Sequence, residues 1–278
     1  MVRQRRQAIG ENIRDRDGCF IRHSRRGIHR FRAEGWIKHR REQNSHLAKL
    51  RPNRYNTTVF GFIDTIRYWI ANPMQLVYWL PVFLFSFALH EWGHAYVALR
   101  CGDPTARNLG RLTLNPFAHF DLMGFICLLF LRFGWGKPVP VNPRNFRDYK
   151  KGMLLVSVAG IGMNLMLALL GTAIFMLLLL INPALINNVA ITSVFIYLVS
   201  ANMVLFVFNL IPIPPLDGSK IVETLFARWI PQRVRVFMNR YGWYIIAGIC
   251  LTGLFDYIYG FLYGAIWSVI DGLVKLVL

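Results

Sequence analysis

His90-Glu91-Trp92-Gly93-His94 puts two imidazoles and a carboxylate within five residues. On a helix of 3.6 residues per turn, positions i and i+4 share a face. Two histidines so spaced can each give one nitrogen to the same zinc ion. Glu91 then stands beside them to take a proton from a water at the metal. The pentapeptide lies in an apolar run, Leu76–Leu99, whose only acidic residue is Glu91. Burying such a trio is costly, and a catalytic role explains it better than a folding role. The chemistry indicated is zinc-dependent hydrolysis at membrane depth. The bland alternative is an interfacial helix whose histidines are satisfied by backbone carbonyls.

A catalytic zinc commonly has three protein ligands, so a third must come from elsewhere in the chain. The sequence after His94 does not continue into HxxGxxH, which removes one local source. Downstream there is one glutamate, Glu223, and a handful of aspartates. Asp148 sits in the basic stretch Arg144–Lys151, a solvated setting. Asp103 precedes Pro104 and suits a turn after the first helix. His119 and Asp121 form a polar cluster that remains a second place for metal. Asp217 is the strongest candidate. It follows an apolar run through Pro212-Ile213-Pro214-Pro215-Leu216, where prolines stop the helix and free backbone carbonyls. Irregular backbone at membrane depth is tolerated where it lines a site. An ordinary Asp-Gly turn is the competing reading of Asp217-Gly218.

The elements that must position these groups read as membrane helices. Hydrophobic residues make up 55% of the chain, and uncharged runs reach the roughly 20 residues a span requires. Leu76–Leu99, Met153–Ile181 and Ile191–Ile211 are the three clear spans. Tyr241–Ile270 is apolar but carries Asp256, and reads either as one tilted span or as a span followed by a surface helix. Phe125–Phe133 is too short to cross and contains Arg132, which suits a re-entrant segment. Cys19, Cys101, Cys127 and Cys250 form no CxxC pair, so neither a disulfide framework nor a thiolate zinc site is indicated.

The net charge of +18 is uneven, since residues 1–55 hold 16 of the 32 Lys and Arg. That stretch lacks apolar periodicity and reads as a disordered or surface-bound leader. An arm on anionic lipid, a targeting segment and an extension without a role all fit it. Scattered arginines without a fold are no nucleic-acid recognition module, and no nucleic-acid partner is expected. The division expected is a basic leader over 1–56 and a membrane-embedded domain over 57–278.

Three ordered pieces carry a resemblance: His90-Glu91-Trp92-Gly93-His94, then Ala159-Gly160-Ile161-Gly162-Met163-Asn164, then Asn209-Leu-Ile-Pro212-Ile-Pro214-Pro215-Leu216-Asp217-Gly218. Together they resemble the site-2 protease family of intramembrane zinc metalloproteases. Gly110–Pro116 and Gly134–Pro143 resemble the small members without accessory domains. Ile161 departs from the proline the family often has there. The resemblance covers roughly residues 74–278 and leaves the leader unexplained. It implies an all-α, polytopic membrane helix bundle with broken or re-entrant segments near one zinc ion. It implies that His90, His94 and Asp217 hold the metal and that Glu91 is the general base. It also implies a catalytic place for Asn164, on substrate backbone or a developing oxyanion; the chemistry of a lone Asn in a span equally suits interhelical hydrogen bonding. Gly160 and Gly162 would let helices approach near the site.

The substrates expected are membrane-spanning proteins, with the lipid bilayer as the other partner and the leader as its anionic-lipid contact. A non-catalytic membrane scaffold with a structural metal is the alternative, though such a site has no use for Glu91. The basic stretches Gly134–Gly152 and Pro212–Arg240 are separated by two spans and both belong on the cytoplasmic side. That orientation puts the active site toward the cytoplasmic face of the cell membrane. A leader on the same side needs another crossing before Leu76, and Val59–Asn72 is short for one.

Overall fold

The structure, a computed structural model, describes residues 69–131 and 134–255, with residues 67, 257, 260 and 264. The leader, Arg132, Asp256 and most of the chain beyond Phe255 lie outside the described residues. Among those described there is no strand, as expected of an all-α bundle.

Among the described residues, three helices are long and apolar enough to cross a membrane: α1 (Pro73–Cys101), α5 (Tyr149–Ile181) and α6 (Val189–Leu210). In lipid only a helix satisfies its own backbone, so these runs are helical despite their β-branched residues. Their ends are set by local chemistry. Pro73 occupies the first turn of α1, where its missing N–H costs nothing. Gly102, at φ 111°, closes the other end, donating to the carbonyls of Ala98 and Leu99. Asp148 caps α5 by accepting from the Lys151 N–H at 3.0 Å, and Asn188 caps α6 by accepting from Ile191 at 3.1 Å. At 33 residues α5 is about 50 Å long, well beyond a hydrocarbon core, so its Lys150–Lys151 end projects into the polar region.

Between α1 and α5 lie two single turns, α2 (Thr105–Asn108) and α3 (Pro116–His119), and the short apolar α4 (Leu122–Leu131). Ten residues cannot span, in keeping with the re-entrant reading. The chain then runs extended through Trp135-Gly-Lys-Pro-Val-Pro-Val141 toward a turn at Pro143–Asn145.

After α6 the chain turns through Pro212–Leu216, with Pro214–Pro215 in the cis form, into α7 (Asp217–Phe226) and α8 (Gln232–Leu251). The basic stretch Pro212–Arg240 is therefore largely helical. The first part of the apolar run from Tyr241 belongs to α8, which begins nine residues earlier and ends at a turn where Gly253 has φ 74°; most of the run beyond Phe255 lies outside the described residues. Arg235 favours the early start by donating to the Ala227 carbonyl, which α7 leaves unpaired.

Packing brings α1, α5 and α6 together. Ala168 of α5 meets Val199, Met203 and Val207 of α6. Asn202 on α6 donates to Ser86 Oγ on α1 at 2.8 Å, both side chains fully buried. Large apolar side chains on the other faces, Leu169 and Leu177 among them, are exposed and suit lipid contact.

Candidate metal centre

His90 and His94 stand one turn apart on α1 and point the same way. Their Nε2 atoms are 3.0 Å apart. Asp217 opens α7, just past the proline turn, and its Oδ2 lies 2.9 Å from His94 Nε2 and 3.4 Å from His90 Nε2. All three residues are buried. Asp217 Oδ2 has no hydrogen-bond donor, an orphaned acceptor at the centre of the site. Bonds of about 2.05 Å at tetrahedral angles put ligand atoms about 3.3 Å apart, so these three atoms fit one face of a zinc tetrahedron. Among the described residues this is the one group of three or more His, Cys, Asp or Glu whose ligand atoms converge so closely.

The depth of the site follows from helix arithmetic. His94 is seven residues from the end of α1, roughly 10 Å along the axis. Asp217 reaches that level because α7 begins against the end of α6. Gly218 makes this possible: a Cβ there would lie 2.4 Å from the Leu210 carbonyl oxygen.

Helix α5 forms the wall behind the histidines. Val156, Gly160 and Asn164 follow at i, i+4 and i+8, one stripe of a helix. The Val156 carbonyl lies 2.8 Å from His94 Nδ1. A Cβ on Gly160 would stand 2.4 Å from His94 Nε2 and 2.7 Å from His90 Cε1, so this position must be glycine. Asn164 Nδ2 lies 2.9 Å from His90 Nδ1. Gly162, expected to serve close approach as Gly160 does, is exposed and has nothing within 4 Å of where a Cβ would be. Two residues along a helix turn it to the opposite side.

Glu91 is buried and its Oε2 accepts the Val139 N–H at 2.9 Å. Flanking prolines keep Val139 extended and leave its amide the only donor in Pro138–Pro140. The Val139 side chain packs on Ala95 and Ala106, and the Arg111 guanidinium donates to the Lys137 carbonyl at 2.7 Å. Fully buried Asp103 anchors the far end of this segment. It accepts from the Asn142 N–H at 2.7 Å and Asn145 Nδ2 at 2.8 Å, and from the Thr105 N–H and hydroxyl. Burial pushes its carboxyl up, but the bonds from Thr105, Asn145 and Asn142 outweigh that and hold it below its ordinary value.

The alternative metal cluster is not assembled. His119 is buried with Nε2 against the Thr113 carbonyl at 3.0 Å. Asp121 accepts from the Gly124 N–H at 2.8 Å in the first turn of α4. Both belong to local structure.

The model of "Peptidase family M50" matches residues 179–252, the stretch that carries Asp217. "Putative zinc metalloprotease YwhC" of Bacillus subtilis (strain 168) is 41% identical over 195 residues, 67% of this chain and 86% of that protein. The chain belongs to peptidase family M50, the site-2 protease family. "Putative zinc metalloprotease Rip2" of Mycobacterium tuberculosis (strain H37Rv) is 36% identical over 147 residues, 50% of this chain and 54% of that one. The Rip2 of Mycolicibacterium smegmatis is 33% identical over 178 residues, covering 61% of this chain and 64% of the relative. No solved structure matches the chain. With its three apolar helices, this M50 member is a metalloprotease of the membrane.

Three partners of the M50 site escaped the sequence reading. Val139 and Val156 act through backbone atoms, which leave no side-chain signature. Lys220 lies within the basic stretch Pro212–Arg240, and its Nζ lies 3.0 Å from Asp217 Oδ1, so that Oδ2 alone faces the histidines. The helical spacing Asp217-x-x-Lys220 is the signal that could have found it.

Proposed function

We propose that this protein is an intramembrane zinc endopeptidase that hydrolyses peptide bonds in or near the transmembrane segments of membrane proteins. The observation that carries the proposal is the convergence of His90 Nε2, His94 Nε2 and Asp217 Oδ2, with Glu91 on the same helix between the two histidines. The names of the relatives, zinc metalloproteases, support the choice of metal.

His90, His94 and Asp217 hold one zinc ion per chain. Zinc there supplies Lewis-acid polarisation of a peptide carbonyl and of water. Glu91 takes the proton from the attacking water and passes it to the leaving amine as the C–N bond breaks. The products are a carboxylate and an amine. The Val139 amide holds the Glu91 carboxylate in place for both transfers. Asn164 completes the site from α5. A helical substrate must unwind locally before its carbonyl is available, since helical backbone groups are already paired.

The protein on this reading crosses the membrane several times, in the cell membrane, with the site toward the cytoplasm. The basic segments flanking α5 and α7 support that orientation. Anionic lipid is the proposed contact of the basic leader.

Metal analysis of the purified protein tests the ligand set. One zinc per chain is expected, lost in Asp217→Ala and kept in His119→Ala. Full occupancy in Asp217→Ala, with loss in His119→Ala, would assign the third ligand wrongly.

A further inference from the structure

The two zinc-ligand histidines are held from behind in different ways. Each has its Nε2 facing the other ligand atoms, 3.0 Å from its partner. An imidazole can give Nε2 to a metal only when that nitrogen is unprotonated, so the neutral ring must carry its proton on Nδ1. For His94 the matter is closed by backbone: Nδ1 meets the Val156 carbonyl at 2.8 Å, and a carbonyl only accepts. His90 has no such carbonyl. Its Nδ1 meets a side chain, the Asn164 amide at 2.9 Å.

The amide of Asn164 is fully buried and His90 nearly so. An asparagine amide presents a donor or an acceptor according to which way it is turned. With Nδ2 toward His90, the ring nitrogen must accept, the proton moves to Nε2, and the ligand is blocked. With Oδ1 toward His90, the amide accepts from Nδ1–H and Nε2 is free for metal. An aspartate would accept equally well but would add a third carboxylate beside Asp217 and Glu91, at membrane depth where charge is costly.

We infer that Asn164 is a positioning residue that holds His90 in the Nδ1–H tautomer and so makes it a zinc ligand. This rests on the zinc-hydrolase reading above. It differs from a role on the substrate, because its effect passes through the affinity for metal.

The test is zinc affinity of the full-length protein in detergent, measured by competition with a chelator of known affinity, with no substrate present. Asn164→Leu removes both polar atoms at similar volume and should weaken zinc binding about 10- to 100-fold. Asn164→Ala is the second variant, should the leucine not fold, and carries the same prediction. Asn164→Asp keeps an acceptor toward Nδ1–H and should hold zinc within a few-fold of the parent. A structural role between helices would instead lower the thermal midpoint of the leucine and alanine variants with zinc affinity unmoved, and that result overturns the inference. So does an aspartate variant that loses zinc as badly as the leucine. Parent protein that binds no zinc would overturn the zinc-hydrolase reading itself; parent that binds zinc beside an equally tight Asn164→Leu overturns this inference alone.

Discussion

Gly160 sets a tight tolerance in the site. The two imidazoles can lie edge to face, 4.6 Å between centroids, only because nothing projects from α5 at that level. A methyl group at 160 would overlap His94 Nε2. Gly160→Ala is therefore expected to lose zinc and to cost about 1–3 kcal/mol of stability through overpacking. Gly162→Ala should change neither. Metal content and thermal unfolding of the two variants, side by side, check this; equal zinc in both would show that α5 yields at Gly160. The same comparison shows how far single residues could be read. The ligand pair and Glu91 were legible because their chemistry is written into a helical spacing. The glycines were not separable, since a motif gives residue types without saying which side of the helix meets a neighbour. Asn164 was legible as a polar residue in a span, but its partner His90 is fixed only by the register of α5 against α1.

At the scale of elements, the site is a junction of α1, α5, the start of α7 and the extended segment through Val139. The spans were legible from length and apolarity alone, to within a few residues at each end. The extended segment was not, because its contribution to the site is one backbone N–H. What holds it is Asp103, expected from its Asp-Pro context to form a turn, and found to tie Thr105, Asn142 and Asn145 together. The native state holds this carboxyl below its ordinary value of 3.8. Its contribution to stability is thus present above pH 3.8 and falls away as the pH drops through the lower folded value. Asp103→Asn should lower the thermal midpoint at pH 6, by the equivalent of about 1–3 kcal/mol for a buried hydrogen-bonded group. The gap between variant and parent should narrow below pH 4. A gap that is constant from pH 6 to pH 3 would mean the charged form of Asp103 contributes nothing.

For the whole molecule, the order of helices explains how residues 127 positions apart in sequence reach one point. α5 runs antiparallel to α1, matching 94 with 156 and 90 with 164, and α6 returns the chain to the level where α7 opens with Asp217. On the proposed orientation that level is near the cytoplasmic face, the side on which both basic segments lie. The basic α7–α8 region looks like a loop by charge, yet its charges are spread along helices, a pattern that composition does not separate from a loop. The central claim is that Glu91 acts as the base of a zinc peptidase. The most direct test is cleavage of a single-span membrane substrate by purified parent and Glu91→Gln proteins in liposomes, with zinc measured in the same samples. Glu91→Gln should keep one zinc per chain and cleave at least about 100-fold more slowly, because an amide cannot accept the water proton. Cleavage at the parent rate by a zinc-loaded Glu91→Gln protein would contradict the account.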